Sequence, residues 1–417
     1  MSWNTGLSPE LIEKIKQVDA KISERRLDIQ EVALTNQAKV LDAFRKHKVS
    51  ESHFNKSNGY GYDDIGREAL EAVYAEVFGA DDCIVRPQLI SGTHAISTAL
   101  FGVLRPGDDL LYITGTPYDT LLEVVGVTGN GIGSFKEYNI GYDHVDLLAD
   151  GSVDFEAVKA KATAKTKVFA IQRSRGYDQR PSFTIEKIEE MIRFVKENYP
   201  EAIVFVDNCY GEFAETIEPT QVGADLMAGS LIKNPGGGLA KIGGYIVGRK
   251  DLIEKCAYRL TTPGIGKEAG AMLDTVHEMF QGFFLAPHVV SQAIQGAVFT
   301  AALLEEFNVV STPKWDEPRT DLIQMVELEE QEKMVKFAQA IQKFSPVDAH
   351  VSPVPAYMPG YEDDVIMAAG TFIQGASLEL TSDGPIRPPY RLYVQGGLTY
   401  EHVKIAVSHA VQEVFYN

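Results

Sequence analysis

Apolar positions in the first fifty residues recur at helical spacing. Leu11, Ile15, Val18 and Ile22 fall on one stripe, and Val40, Leu41 and Phe44 on another. Residues 9 to about 48 are therefore expected to form two amphipathic helices. The segment "HFNKSNGYGYDDIG" breaks the pattern with glycine and asparagine, and helical spacing resumes at Ile65 in "IGREALEAVYAEVF". Beyond it the pattern changes. Short apolar runs, "CIVRPQLI", "DLLYIT", "KVFAIQRS", "AIVFVDN" and "ADLMAGSLI", alternate with helical stretches expected to begin near Thr93, Tyr118 and Thr184 and after Tyr210. "GGYIVG" reads as one more strand. This alternation predicts an α/β fold whose mostly parallel sheet is covered on both faces. Ligands of such sheets bind at the carboxyl ends of the strands.

A long helix from about Pro287 to Phe307 is expected to lead into residues 310–417. These mix a helical stretch, "LIQMVELEEQEKMVKFAQAIQKF", with the extended runs "TFIQGASLEL" and "YRLYVQGG" and a closing helix, which suggests a smaller α+β domain. The chain thus reads as an N-terminal helical arm (1–55), a large domain (56–300) and a small C-terminal domain (301–417).

Composition narrows the function. Of the 417 residues 45% are hydrophobic, enough for a large core, and the formal net charge is −19. An acidic surface repels phosphate backbones and anionic lipid heads, which argues against nucleic-acid and membrane partners. Cys83, Cys209 and Cys256 are scattered and odd in number, with no CxxC pair or Cys/His cluster, so neither a disulfide frame nor a metal site is expected. The start has no apolar signal core, and "GAVFTAALL" is too short to span a bilayer. The expectation is a reduced, cytoplasmic protein.

Candidate chemistry concentrates in "VFVDNCYGEF…GSLIKNPGGG". Asp207 ends an apolar strand, and Lys233 follows 26 positions later (233 − 207), three after Ser230. Alone, the aspartate reads equally as a helix cap or ion-pair partner, and the lysine as a surface cation. Together they match what an aldehyde cofactor on a pyridine ring requires: an amine to bond to, a carboxylate to keep the ring nitrogen protonated, and donors for a phosphate. Upstream, Gly92 in "ISGTHAISTAL" permits close backbone approach, and Thr93 opens a helix whose free N–H groups suit an anion. In "ITGTPYDT", Tyr118 follows another strand end, where its ring either stacks on a ligand or packs in the core.

The order SG-x-x-A, strand-end tyrosine, D-x-C-x-G and S-x-x-K resembles the cystathionine and methionine lyase group of fold-type-I pyridoxal-phosphate enzymes. It is most similar to the branch of methionine gamma-lyase-related, "aluminium resistance" proteins. "GYGYDDIGRE", "SGTHAI", "DNCYGEF", "GSLIKNPGGG" and "RLYVQGGLT" carry that resemblance, which covers about residues 55–400. It implies that Lys233 holds pyridoxal 5'-phosphate covalently, that Asp207 meets the ring nitrogen, and that Gly92, Thr93 and Ser230 hold the phosphate. Tyr118 would stack on the ring. Arg391 would clamp the substrate carboxylate through a bidentate fork, with Arg387 as a competitor. Arg173 and Ser174 are expected beside the ring hydroxyl.

Two departures stand out. Where the better-known lyases carry Tyr-x-Arg, donated by a neighbouring subunit, this chain has Tyr60-Gly61-Tyr62, so Tyr62 becomes the expected cross-subunit phosphate donor in a homodimer or homotetramer with shared sites. The cysteine that follows the stacking tyrosine in known methionine lyases is replaced by "YDTLLE". The implied reaction is β- or γ-elimination from a sulfur amino acid, with Lys233 as base on Cα–H, its pKa lowered by burial and a cationic ring. Tyr118 or Tyr62 would protonate the leaving sulfur. Transamination, aldol cleavage and non-catalytic cofactor binding remain open alternatives. The glycines after Lys233 are expected to form a flexible turn letting the backbone run close to the cofactor.

Overall fold

The computed structural model describes residues 2–358, 363–375 and 377–416. The first two helices, α1 (Pro9–Lys21) and α2 (Ser23–Lys46), fall where the apolar stripes place them. By compactness the chain forms two units. One is Gln37–Phe284, and the other joins Met1–Asn36 with Leu285–Asn417. The three-part division of the sequence rests on changes of pattern rather than on compactness.

In the 37–284 unit, α3 (Ile65–Phe78) starts on Asp64, whose carboxylate accepts from the Arg67 N–H at 2.9 Å, and stops at Gly79 in the left-handed region. Then come β1 (Asp82–Arg86), α4 (Gly92–Val103), β2 (Asp109–Tyr112), α5 (Asp119–Val125), β3 (Gly141–His144), α6 (Phe155–Lys161), β4 (Thr166–Gln172) and α7 (Ile185–Asn198). β5 (Ile203–Asp207), β6 (Leu226–Ser230), β7 (Gly244–Gly248) and α8 (Lys250–Leu260) complete the set. The seven strands order as β1-β7-β6-β5-β4-β2-β3. β7 runs antiparallel to both its neighbours, and the other pairings are parallel. Every residue of β5, β6 and β7 is buried, so both faces of the sheet are covered, as the unbroken apolar runs require.

The helix expected after Tyr210 is not formed. Tyr210 and Phe213 take left-handed backbone angles, φ 70° and 62°, which no α-helix tolerates, and turns carry the chain to a 3₁₀ segment at Pro219–Val222. β3, α6 and α8 lie outside the expected elements. β3 is short and polar, with no fully buried residue among its four, so it gives almost no apolar signal.

The unit's last stretch before its final helix has an unusual support. Five successive carbonyls, from Lys267 to Ala271, accept in turn from Arg86, Arg67, Arg86, Arg67 and Gln88. Arg67 also donates to the Gly61 carbonyl, and the Gly270 N–H donates to that of Tyr60. Two buried guanidinium groups thereby fix the end of a 3₁₀ turn (Gly266–Glu268) and the residues after it to the loop of Tyr60 and Tyr62. Those two rings stack on each other, centroids 5.3 Å apart, and stay exposed.

The next helix, α9 (Val276–Glu305), begins well before the expected start and carries Pro287 within it. In the other unit, β8 (Val310–Thr312), β9 (Ile323–Glu327), α10 (Gln331–Lys343), β10 (Val365–Ala368), β11 (Thr381–Pro385), β12 (Arg391–Gln395) and α11 (Tyr400–Phe415) follow. Their five strands form an antiparallel sheet, β10-β11-β12-β9-β8, and α10 packs on α11. The stretch read as one helix from Leu322 is a strand followed by a helix. Glu329, at φ 61°, makes the break. The run 371–380 is irregular rather than extended, the strand beginning at Thr381, and Ala376 lies outside the described residues. Among the described residues no helix is long and apolar enough to cross a membrane.

Candidate active site

The parallel strands β2, β4, β5 and β6 end on the same edge of the sheet. Register places Gln172 beside Asp207, and Asp207 beside Ala228, two residues before Ser230. Sequence positions far apart are thereby collected along one line, where a parallel sheet leaves its crevice.

Asp207 is buried, and its Oδ1 accepts from the Cys209 N–H at 3.1 Å. Burial raises its carboxyl above the ordinary range, while Lys233, Cys209 and Arg180 pull it down. Among the described residues no cation pairs directly with it. A carboxylate in that state is one half of an ion pair, suited to a cation brought by a ligand.

Lys233 follows the end of β6 with its ammonium 4.1 Å from the centroid of the Tyr210 ring, a cation–π arrangement. Burial works against its charge, yet the potential anions around it, Cys209, Tyr210, Tyr118 and Asp207, outweigh that and leave its pKa raised. The direction is opposite to the expected lowering, so a lowered value would have to come from a cationic ligand ring. Gly236 has a steric rather than a flexible role. A Cβ there would lie 1.7 Å from the Leu231 carbonyl oxygen, so the turn after Lys233 is a tight one closed on its own backbone.

Gly92 begins α4, and the Ser91 hydroxyl caps it by accepting from the His94 N–H at 3.1 Å. The N–H groups of Gly92 and Thr93 have no intrahelical partner at that position. A Cβ on Gly92 would sit 3.1 Å from Ser230 Cβ and 3.2 Å from Cys209 Sγ. The helix start, the end of β6 and the turn after Asp207 therefore meet in a close cradle at Gly92, where an added methyl would press on Ser230 and Cys209. Thr93 Oγ1 lies 2.8 Å from Thr120 Oγ1 on α5. We expect Gly92→Ala to fold normally and to weaken binding of a phosphate-bearing ligand about tenfold, since a methyl narrows this cradle by a few tenths of an ångström. Pyridoxal-phosphate titration followed by absorbance measures it, and unchanged affinity would show that the cradle is not used.

Tyr118 caps α5, its N–H donating to Gln172 Oε1 at 2.7 Å. The Gln172 amide in turn donates to the Ser174 carbonyl at 2.9 Å, which Arg180 also engages. Arg173 points elsewhere: its buried guanidinium bonds to Asn208 at 2.9 Å, Glu215 at 3.0 Å and Glu218 at 3.5 Å. In the other unit, Arg391 donates through Nε to Glu327 at 2.7 Å, and the exposed Arg387 meets Asp363.

Several site residues escaped sequence reasoning: Gln172, Arg180, Tyr210, Glu212 and Asn234. Tyr210 and Glu212 lie inside the quoted motif, but only the left-handed turn aims them. Gln172 and Arg180 act through partners distant in sequence, which no local pattern reveals.

A unit with a seven-stranded, mostly parallel sheet, with a lysine, an aspartate and an open helix start gathered at its strand ends, and a second unit with an antiparallel sheet define a fold-type-I pyridoxal-phosphate enzyme architecture. More distant solved structures share that fold. The chain belongs to the methionine gamma-lyase family, whose profile matches residues 11–415. Uncharacterized protein YnbB of Bacillus subtilis is 65% identical over 414 residues, 99% of this chain and 98% of its own. A Listeria monocytogenes structure, named as a candidate cystathionine beta-lyase involved in aluminum resistance, superposes with a TM-score of 0.96 at 66% identity, covering 96% and 99% of the two chains. A carbon–sulfur lyase involved in aluminum resistance from Clostridium novyi gives 0.93 at 46% identity, covering 98% and 96%.

Proposed function

We propose that this protein is a cytoplasmic, pyridoxal-phosphate-dependent carbon–sulfur lyase acting by β- or γ-elimination on a sulfur amino acid such as cystathionine or methionine. The observation that carries the reading is the meeting of Lys233, Asp207 and the Gly92–Ser230 cradle at one sheet edge. The residues fit the cofactor: an amine, a buried carboxylate with no ion-pair partner among the described residues, and a close cradle at Gly92 that brings together a serine and helix N–H groups.

When bound, pyridoxal phosphate supplies an aldehyde that bonds to amines and a ring that accepts the electron pair left when Cα loses its proton. Asp207 would hold the proton on the ring nitrogen. Gly92 and Thr93, through their N–H groups, and Ser230, through its hydroxyl, would hold the phosphate, with Tyr62 of a second copy adding a phenol. Tyr118 would lie against the ring, its position set by Gln172. Ser174 would line the ring hydroxyl side, and Arg173 would brace the turn after Asp207 through Asn208. Arg391 would exchange part of its bonding to Glu327 for the substrate carboxylate.

In turnover, the free Lys233 amine takes the proton from substrate Cα. The carbon–sulfur bond breaks with its electron pair leaving on sulfur, which accepts a proton from the Tyr118 or Tyr62 hydroxyl. Water then releases ammonia and a 2-oxo acid from the remainder. Family membership and the names of the relatives support this class of chemistry.

A screen of amino acids for 2-oxo acid release, with no added oxo-acid acceptor, tests the proposal. Release is expected with cystathionine or another thioether substrate, together with free thiol. Turnover only when an oxo acid is added would replace the reading by transamination. Bound cofactor without turnover of any amino acid would replace it by non-catalytic binding.

A further inference from the structure

Glu212 lies on the turn after Asp207, and the reaction proposed above makes no use of it. Its side chain is fully buried. Oε1 accepts from the Tyr245 hydroxyl on β7 at 2.6 Å. Oε2, equally buried, has no hydrogen-bond partner, and among the described residues no lysine or arginine forms an ion pair with the group. The Tyr245 ring belongs to an aromatic cluster with Tyr74, Phe78, Phe213 and Phe283. A charged carboxylate in such surroundings would give up its hydration for one phenol bond, which is a losing exchange.

The same residue brackets Lys233. Gly229 stands opposite Tyr245 in the β6–β7 ladder. A Cβ on Gly229 would lie 2.6 Å from Glu212 Oε1 and 2.7 Å from the Tyr245 ring, so the Glu212–Tyr245 pair lies across the backbone four residues before the lysine (233 − 229). On the other side, the main-chain carbonyl of Glu212 accepts from the Asn234 side-chain amide at 2.8 Å, and that amide also holds the Tyr210 carbonyl at 3.0 Å. Glu212 therefore meets the chain four residues before Lys233 through its side chain and one residue after it through its main chain.

We propose that Glu212 is a positioning residue for Lys233, acting as a neutral carboxylic acid that joins β7, the end of β6 and the turn after Asp207 into one support. The proposal rests on the reading that Lys233 captures an aldehyde cofactor.

The groups that face this acid are Tyr245 from β7, Tyr74 from α3, Lys233 after β6, and Cys209 and Glu218 on its own loop. Burial is the largest influence and pushes Glu212 up to about 8. The Tyr245 hydrogen bond and Lys233 act downward, and Glu218 upward. With the folded value above the unfolded one, the support is fully present below the ordinary carboxyl range and is lost as pH rises through about 8.

The test compares wild type, Glu212→Gln and Glu212→Ala. Without cofactor, the melting temperature of Glu212→Gln minus that of wild type is expected to widen by several degrees from pH 6 to pH 9, because glutamine has no proton to lose. A difference that stays flat would overturn the neutral-acid state. With pyridoxal phosphate added, capture on Lys233 is read as the borohydride-fixed label against cofactor concentration. At pH 7 the glutamine variant is expected to half-saturate near wild type and the alanine variant at about tenfold higher concentration. At pH 9 glutamine should overtake wild type by about tenfold. Comparing ratios at each pH cancels the titration of Lys233 itself. A folded Glu212→Gln that captures tenfold worse at pH 7 would mean that the charge is needed, and the proposal fails. Should the alanine variant not fold, the glutamine comparison decides alone. Wild type that captures no pyridoxal phosphate overturns the cofactor reading, and the positioning role with it, while the melting comparison still decides the state of Glu212.

Discussion

Lys233→Ala is expected to lose covalent cofactor capture completely and turnover by about a thousandfold or more, since one amine serves as both attachment point and base. In wild type, borohydride reduction in the presence of pyridoxal phosphate should leave a single pyridoxyl label, on the peptide that contains Lys233. The nearby lysines in sequence are poor competitors. Lys241 pairs with Glu278, and Lys267 is held by Glu71 and Asp82, whereas Lys233 has no carboxylate partner at ion-pair distance among the described residues and faces an aromatic ring. Digestion and mass spectrometry of the reduced protein decide the matter. A label on Lys241 or Lys267 would move the site elsewhere, and with it every role assigned around β6.

Asp207→Asn is expected to keep capture on Lys233 and to lower turnover about a hundredfold or more, the scale seen when one preorganised electrostatic contact to a developing charge is removed. Asparagine keeps the shape and can still accept from the Cys209 N–H, but cannot hold a cationic ring nitrogen. Stability separates this from a structural defect. Burial raises the Asp207 pKa, so its favourable contribution is present below the ordinary carboxyl range and lost as pH rises through the folded value. Above that value the buried charge is a net cost that asparagine removes. The variant's melting temperature should therefore equal or exceed that of wild type in the alkaline range. Wild-type turnover in a folded variant would make Asp207 a structural residue only.

Much of the large sheet was legible because its strands are buried on both faces. An unbroken apolar run that ends on a carboxylate, as in "AIVFVD", marks both the strand and the point where it opens to a ligand. The helix expected to open near Thr93 was legible likewise, and α4 begins at Gly92. What stayed hidden depends on backbone angles or on partners remote in sequence. Nothing in "CYGEF" announces that Tyr210 and Phe213 turn left-handed, so a helix was expected where the chain makes the turn that faces Tyr210 to Lys233. The surroundings of Arg173 were hidden for the same reason. Strand alternation sends neighbouring side chains to opposite faces. Gln172 serves Tyr118, and Arg173 is left to the carboxylates of Glu215 and Glu218.

The carbonyls of 267–271, tied one after another to Arg86, Arg67 and Gln88, bear on how the loop of Tyr60 and Tyr62 would meet another surface. A loop with Gly59 and Gly61 and two exposed tyrosines would ordinarily take its shape only when another surface met it, and the encounter would then be slowed by that rearrangement. Here the buried guanidinium groups hold the loop from within its own chain, and the rings of Tyr60 and Tyr62 already stack on each other. Association at this loop would be a meeting of two prepared faces, with a rate set by collision and orientation rather than by folding on contact.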